Sequence, residues 1–162
     1  MLDFLGDLRR THTCGALRAG DAGNQAVLMG WVHRRRDLGN LIFVDVRDRT
    51  GITQVVFDRE RQAELHEKAY TLRHEFVIAV IGQVRERQSK NPNMPTGDVE
   101  VIVEEFRLLN DAKTPPFLPE ETVTANEDLR LKYRYIDMRR PPLQANIELR
   151  HKVALAIRNH LS

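Results

Sequence analysis

The sequence predicts a mainly β fold with some α: a five-stranded barrel in the order β-β-β-α-β-β, then a hinge and a C-terminal helical segment. Three observations predict it. Apolar residues alternate in short stretches through the first 111 positions, the pattern of half-buried strands. One stretch between the third and fourth of these changes to helical spacing. Three prolines in five residues, Pro115, Pro116 and Pro119, then separate this part from a helix-rich remainder, because proline continues neither a helix nor a central strand.

Each element has its own signal. Residues 27–33 carry β-branched and aromatic side chains after the turn-prone Gly23-Asn24. In residues 41–47, Ile42, Val44 and Val46 point one way and Leu41, Phe43, Asp45 and Arg47 the other. Residues 48–51 read as a turn and 52–57 as a third strand, so strands two and three form a hairpin. Leu65, Ala69, Leu72 and Phe76 fall at i, i+4, i+7 and i+11, which predicts an amphipathic helix within residues 59–74. Residues 76–84 are a near-continuous apolar run and predict a buried strand. Val99, Val101 and Val103 alternate with Glu100, Ile102 and Glu104 in a last strand. The loop before it, residues 86–97, is long and polar. This order is that of the OB-fold, a Greek-key barrel that binds oligonucleotides with strands two and three and the loops beside them.

The remainder divides into residues 112–140, a proline-containing hinge, and residues 141–162. Asn126 can cap a helix with Glu127 and Asp128 in its first turn. Pro142 can open a second helix that runs to residue 162, with Ile147, Leu149, Val153, Ala154, Ile157 and Leu161 on its apolar side. An apolar side of that size is expected to find cover.

Composition narrows the functional classes. The 162 residues are 41% hydrophobic and 30% charged, which argues against disorder. No apolar run approaches a membrane span and no charged-then-apolar leader opens the chain, so a cytoplasmic protein without a membrane partner is expected. Cys14 is the only cysteine, which excludes an intrachain disulfide and a cysteine-cluster metal site. Residues 1–111 hold 16 basic and 17 acidic side chains, and residues 112–162 hold 9 and 6. A near-neutral barrel argues that a few placed groups, rather than nonspecific electrostatics, carry any recognition of nucleic acid.

Those groups can be named. Phe43 lies on the outward side of strand two, where an exposed ring is a stacking platform for an unpaired base; a loop or helix covering it is the equal alternative. His33-Arg34-Arg35-Arg36 is read as the first inter-strand loop, where three guanidiniums suit phosphates and guanine edges, or a solvated charge run beside Asp37. Gln54, between Ile52 and Val56, offers both donor and acceptor to a base edge. Arg87, Lys90, Asn91 and Asn93 lie in the last loop, where the asparagines can read bases or simply shape a turn. Glu100 can accept from a base amino group or face water. Enzyme chemistry is not visible: there is no Gly-rich phosphate loop, no HExxH and no nucleophile motif. The six histidines are scattered, and His66 is expected on the exposed side of its helix. Cys14 is expected to be structural.

Four stretches carry a more specific resemblance: GWVHRRRDLGNLIF at 30–43, RDRTGITQV at 47–55, TGDVEV at 96–101 and LRLKYRYIDMRR at 129–140. They resemble the bacterial aspartyl-tRNA synthetases, class II aminoacyl-tRNA synthetases, from about residue 12 onward. The resemblance implies an anticodon-binding OB domain in which Phe43 stacks on the central U of the anticodon. Arg36, Gln54, Arg87, Asn91, Asn93 and Glu100 line the base pocket, and Arg34 and Arg35 lie near phosphates or in supporting pairs. Leu38 stands where relatives that also charge asparagine tRNA often carry His, which implies the type that charges aspartate tRNA alone. The resemblance further implies that residues 141–162 begin a class II catalytic domain, so that the chain is an N-terminal fragment with no catalytic residue, metal ligand or cofactor of its own. The full-length ligase would use ATP and Mg and form a homodimer. Two other readings stay open: a generic OB-fold single-strand binder, and a stand-alone adaptor without ligase activity.

Overall fold

Strand β2 (Leu41–Arg47) sets the pattern for the barrel. Ile42, Val44 and Val46 are fully buried, and the residues between them are half-exposed. In this computed structural model, which describes residues 2–161, the strands β1 (Gln25–Asp37), β2, β3 (Ile52–Asp58), β4 (Val77–Glu86) and β5 (Val99–Asn110) close in the order β1-β2-β3-β5-β4. All neighbours are antiparallel except β3 and β5. Inward residues of every strand fill the interior, and Phe57 meets Phe106 edge-to-face at 5.3 Å, a contact worth about 0.5–1.5 kcal/mol beyond its burial.

The arginine run does not lie in a loop. β1 continues through Asp37 and pairs Arg34 with Asp45, Arg35 with Val44 and Arg36 with Phe43. The apolar pattern that ended the predicted strand at residue 33 fades because these positions leave the core and become the rim of the sheet. The register shifts between Val32 and Arg34, so His33 is the extra residue of a β-bulge. Shifting the alternation by one residue moves every later side chain to the other face. Val32 therefore points into the barrel while Arg34 and Arg36 stand on the outer face beside Phe43. Arg35 turns the other way, with its guanidinium 5.0 Å from the Tyr70 ring and hydrogen-bonded to the Tyr70 carbonyl.

Helix α1 (Ala63–Tyr70) is shorter than its apolar spacing suggested. Ala69 is buried from the helix, but Leu72 and Phe76 reach the core from the chain that follows it. His66 is buried rather than exposed, and its Nε2 lies 3.0 Å from the Gly39 carbonyl. The contact ties α1 to the β1–β2 loop, where Gly39 takes a φ of +80° that suits glycine. Cys14 is also buried. Its N–H donates to Asp48 Oδ2 at 2.8 Å, and its carbonyl accepts from Thr53 Oγ1 at 2.7 Å. Burial and the nearby Asp48 carboxylate push its thiol up to about 12, a structural rather than a reactive cysteine.

The chain divides into two compact units between Thr114 and Pro115. In the second, Asn126 Oδ1 accepts from Leu129 N at 3.0 Å and caps α2 (Glu127–Lys132) as expected. Short α3 (Arg134–Asp137) presents a fully buried Asp137, which pairs with Arg134 at 2.8 Å, Arg140 at 3.1 Å and Arg130 at 3.3 Å. Arg140 also donates to the carbonyls of Glu120 and Glu121, at 3.0 and 2.7 Å. α4 (Pro141–Leu161) begins one residue earlier than predicted, and none of its described residues is buried. Among the described residues no helix is long and apolar enough to cross a membrane.

Candidate nucleic-acid interface

A groove of about 690 Å³ runs across the outer face of the barrel. Its floor follows from the strand order. Phe43 and Asp45 of β2 lie beside Gln54 of β3, since Asp45 pairs with Gln54 in the ladder. Gln54 meets Glu100 of β5, and Glu100 pairs with Arg85 of β4. Arg34 and Arg36 stand along the β1 edge, with Leu38 in the loop beyond them. The β4–β5 loop supplies Arg87, Lys90 and Asn91 on the opposite side. Of the residues singled out from sequence, the structure brings Arg34, Arg36, Leu38, Phe43, Gln54, Arg87, Asn91 and Glu100 together here. Asn93 is exposed outside the groove, and its N–H donates to Asn91 Oδ1 at 3.1 Å.

One chain of hydrogen bonds crosses the floor. Arg36 Nη2 donates to Gln54 Oε1 at 2.7 Å, Gln54 Nε2 donates to Glu100 Oε2 at 2.7 Å, and Arg85 Nε donates to Glu100 Oε1 at 2.8 Å. Guanidinium can only donate and carboxylate only accept, so the Gln54 amide has one permitted orientation. It keeps one lone pair on Oε1 and one N–H on Nε2 for a ligand. Glu100 is buried, and both its oxygens are engaged within the protein. It neither faces water nor stands waiting for a base; it fixes Gln54 and Arg85.

Phe43 is half-buried, and the Arg36 guanidinium stands 5.7 Å from its ring centroid. Leu38 is 72% exposed. Arg87 is buried: its Nε donates to the Val99 carbonyl at 2.9 Å, while its Nη2 is buried with no hydrogen-bond partner. Burial pulls the Arg87 guanidinium below its usual range, with Glu100 and Asp45 acting in the opposite sense. Asp45 Oδ1 is likewise buried and accepts no hydrogen bond, although Arg36 lies 3.6 Å away. The groove thus holds an unsatisfied donor and an unsatisfied acceptor, and such groups ask for a partner.

The groove's charge differs from that of the barrel. Five cationic side chains, Arg34, Arg36, Arg85, Arg87 and Lys90, face two carboxylates, Asp45 and Glu100. The near-neutral total of residues 1–111 hides this asymmetry, because acidic residues lie elsewhere on the surface. Sequence reading missed Arg85, which could have been found from its position two residues before Arg87 on an alternating strand. It also assigned no part to Leu41 and Met94 of the lining.

The β4–β5 loop is drawn together within itself. Asn91 N donates to the Gly97 carbonyl at 3.0 Å, and a Cβ on Gly97 would stand 1.8 Å from the Asn91 carbonyl oxygen. Only glycine permits that approach.

Residues 26–109, more than half of the chain, match the family of OB-fold nucleic acid binding domains that carries the name tRNA anti-codon. The chain belongs to this OB-fold family. Residues 126–162 match the class II tRNA synthetases of the D, K and N group. An Aspartate--tRNA(Asp/Asn) ligase from Acidobacterium capsulatum is 59% identical over 100% of this chain and 27% of its own length. An Aspartate--tRNA ligase from Bacteroides fragilis is 53% identical over 94% of this chain and 26% of its own length. Among solved structures, asparaginyl-tRNA synthetase from Pyrococcus horikoshii complexed with asparaginyl-adenylate superposes with a TM-score of 0.79 at 27% identity, covering 95% of this chain and 34% of that one. The chain thus spans about a quarter of the length of the curated relatives it matches.

Proposed function

We propose that the barrel recognises the anticodon loop of aspartate tRNA, as part of a longer aspartate–tRNA ligase. The oriented Gln54 amide beside Phe43 carries this reading. A base stacked on Phe43 would bring its edge to Gln54, whose remaining acceptor and donor complement the N3–H and carbonyl of a uracil. Arg36 holds Gln54 from one side and Glu100 from the other. Reversing the amide would set donor against donor at one end and acceptor against acceptor at the other, so a base with the reversed pattern is rejected. Arg34 and Lys90 at the rim suit phosphates.

The relatives' names add the reaction, ligation of aspartate to tRNA by the longer protein, for which the family resemblance implies ATP and Mg. Among the described residues no three His, Cys, Asp or Glu side chains converge on a metal site. In this proposal aminoacylation, the ATP site, the dimer contact and the cytoplasmic location belong to the longer protein. Residues 112–140 act in it as the hinge between the barrel and the catalytic part.

Aspartate and asparagine anticodons differ only in their third base. By the family resemblance, Leu38 at the groove's edge, where relatives that also charge asparagine tRNA often carry His, favours a ligase restricted to aspartate tRNA. The Acidobacterium relative's name supports one that serves both. Charging of asparagine tRNA by the longer protein at a rate near that for aspartate tRNA would decide for the second. The anticodon reading itself is tested by titrating the 162-residue chain with the aspartate anticodon stem-loop and with the same stem carrying an unrelated loop. The matched loop is expected to bind more tightly; equal affinity would leave a generic single-strand binder.

A further inference from the structure

We propose that His66 is a positioning residue for the groove: from α1, outside the lining, it fixes the peptide of the β1–β2 turn at the groove's edge. The inference rests on the anticodon-binding reading above. Leu38 N donates to the Leu41 carbonyl at 2.9 Å and closes a two-residue turn at Gly39-Asn40. Gly39 has a positive φ and Asn40 does not, the pattern of a type II′ turn. Gly-Asn also suits type I′, which needs positive φ at both positions, because glycine and asparagine both tolerate it. The two types differ by a flip of the central peptide, whose carbonyl is that of Gly39. The hydrogen bond that closes the turn does not use this carbonyl, so a group outside the turn decides which way it points.

That group is the buried His66. Its Nε2 stands 3.0 Å from the Gly39 carbonyl oxygen, and a carbonyl only accepts, so Nε2 donates. The neutral ring with its proton on Nε2 and the imidazolium both make this bond. The chain leading into α1 holds the next carbonyl, since Arg59 N donates to Asn40 O at 2.9 Å. Two successive carbonyls of the turn are thus gripped by residues 59–66. The carbonyl and amide of a trans peptide point apart, so the His66 bond sends the Asn40 N–H away from α1. In a flipped turn the Gly39 carbonyl would take that side instead. An N–H there suits the acceptor-rich backbone of a nucleic acid, whereas a carbonyl oxygen repels phosphate. Leu38 directly precedes this turn, lines the groove and is exposed, so the turn holds its backbone at the edge.

In 15N-labelled chain, the Leu38 and Asn40 amide signals should move when the aspartate anticodon stem-loop is added to saturation. His66→Leu keeps an apolar side chain and removes the donor. It should admit the flipped turn, seen as a nuclear Overhauser contact between the Gly39 and Asn40 amide protons that the wild type lacks. It should also weaken matched stem-loop binding about three- to tenfold, the loss of one hydrogen bond. Discrimination of the central base should stay as in the wild type, because Gln54 is oriented by Arg36 and Glu100 and not by the turn. His66→Gln, whose amide nitrogen reaches the place of Nε2, should restore binding; the shorter His66→Asn should not. If His66→Leu fails to fold, the Gln and Asn variants carry the comparison. Gln binding no better than Asn, central-base discrimination falling along with affinity, or Leu38 and Asn40 signals unmoved at saturation would each overturn the proposal while the anticodon reading stands. If the wild-type chain fails to distinguish matched from unrelated loop, the anticodon reading falls first and this inference with it.

Discussion

Replacing Glu100 by Gln is the most incisive perturbation of the groove. Its carboxylate is buried and receives one hydrogen bond from Gln54 and one from Arg85. A carboxamide of the same shape has a single oxygen, so it can keep one of these bonds and must turn N–H groups toward the other donor. If it faces Gln54 with its nitrogen, Gln54 can recover only by reversing, and that sets its own nitrogen against Arg36. Hydrogen bonds to a charged group contribute about 1.5–3 kcal/mol each, partly offset by removing a buried charge. A net loss of about 1–3 kcal/mol in discrimination between a matched and a mismatched central base follows, since a well-oriented pair is worth that much. The assay is fluorescence titration of E100Q with anticodon stem-loops that differ only in the central base, beside a urea melt. Lowered stability with unchanged discrimination would reduce the network to a structural brace and refute the argument.

Other outcomes follow from the same geometry. Phe43→Ala should weaken the matched stem-loop by about 1–3 kcal/mol with the fold intact, as measured by titration and circular dichroism. Arg36→Ala should alter base preference more than the salt slope of binding, because its guanidinium holds Gln54 rather than facing outward alone; a salt slope lowered by about one unit would mark a phosphate contact instead. Cys14 should resist thiol reagents at pH 8 until the barrel unfolds, because its thiol is buried and pushed up to about 12. At Asp48, burial acts to raise the carboxyl, but hydrogen bonds from Thr50 Oγ1, Cys14 N and Thr50 N outweigh it and hold it below its usual value. Its stabilisation is therefore complete above about pH 4 and lost as pH falls through the lowered value, so Asp48→Asn should flatten the acid limb of stability measured by urea melts.

Much of the barrel was legible because its core obeys a short period. β2 has the predicted bounds, and Ile42, Val44 and Val46 fill the interior. The placement of Arg34 and Arg36 was not legible, since a bulge leaves no apolar signal and a charged strand end reads as a loop. His66 was misplaced because helical spacing tells which side is apolar but not what the neighbouring loop brings; the Gly39 carbonyl supplied a partner that makes burial acceptable. Gln54 and Glu100 each stood out as polar residues in apolar strands. Their mutual bond joins β3 to β5, strands separated by a helix and β4, and no local pattern reports such a contact. The residues that the family resemblance singled out, Arg35 and Asn93 apart, line one groove, and the structure adds that Glu100 engages Gln54 and Arg85 there.

The central claim is that the Phe43–Gln54 floor receives the second anticodon base. Intermolecular nuclear Overhauser contacts between the Phe43 ring and that base, in the complex of this chain with the aspartate anticodon stem-loop, test it most directly. The account predicts contacts from the Phe43 ring to the central uracil, together with a shift of the Gln54 side-chain amide. Contacts of that base to any other face of the barrel, with the Phe43 and Gln54 signals unmoved, would contradict it.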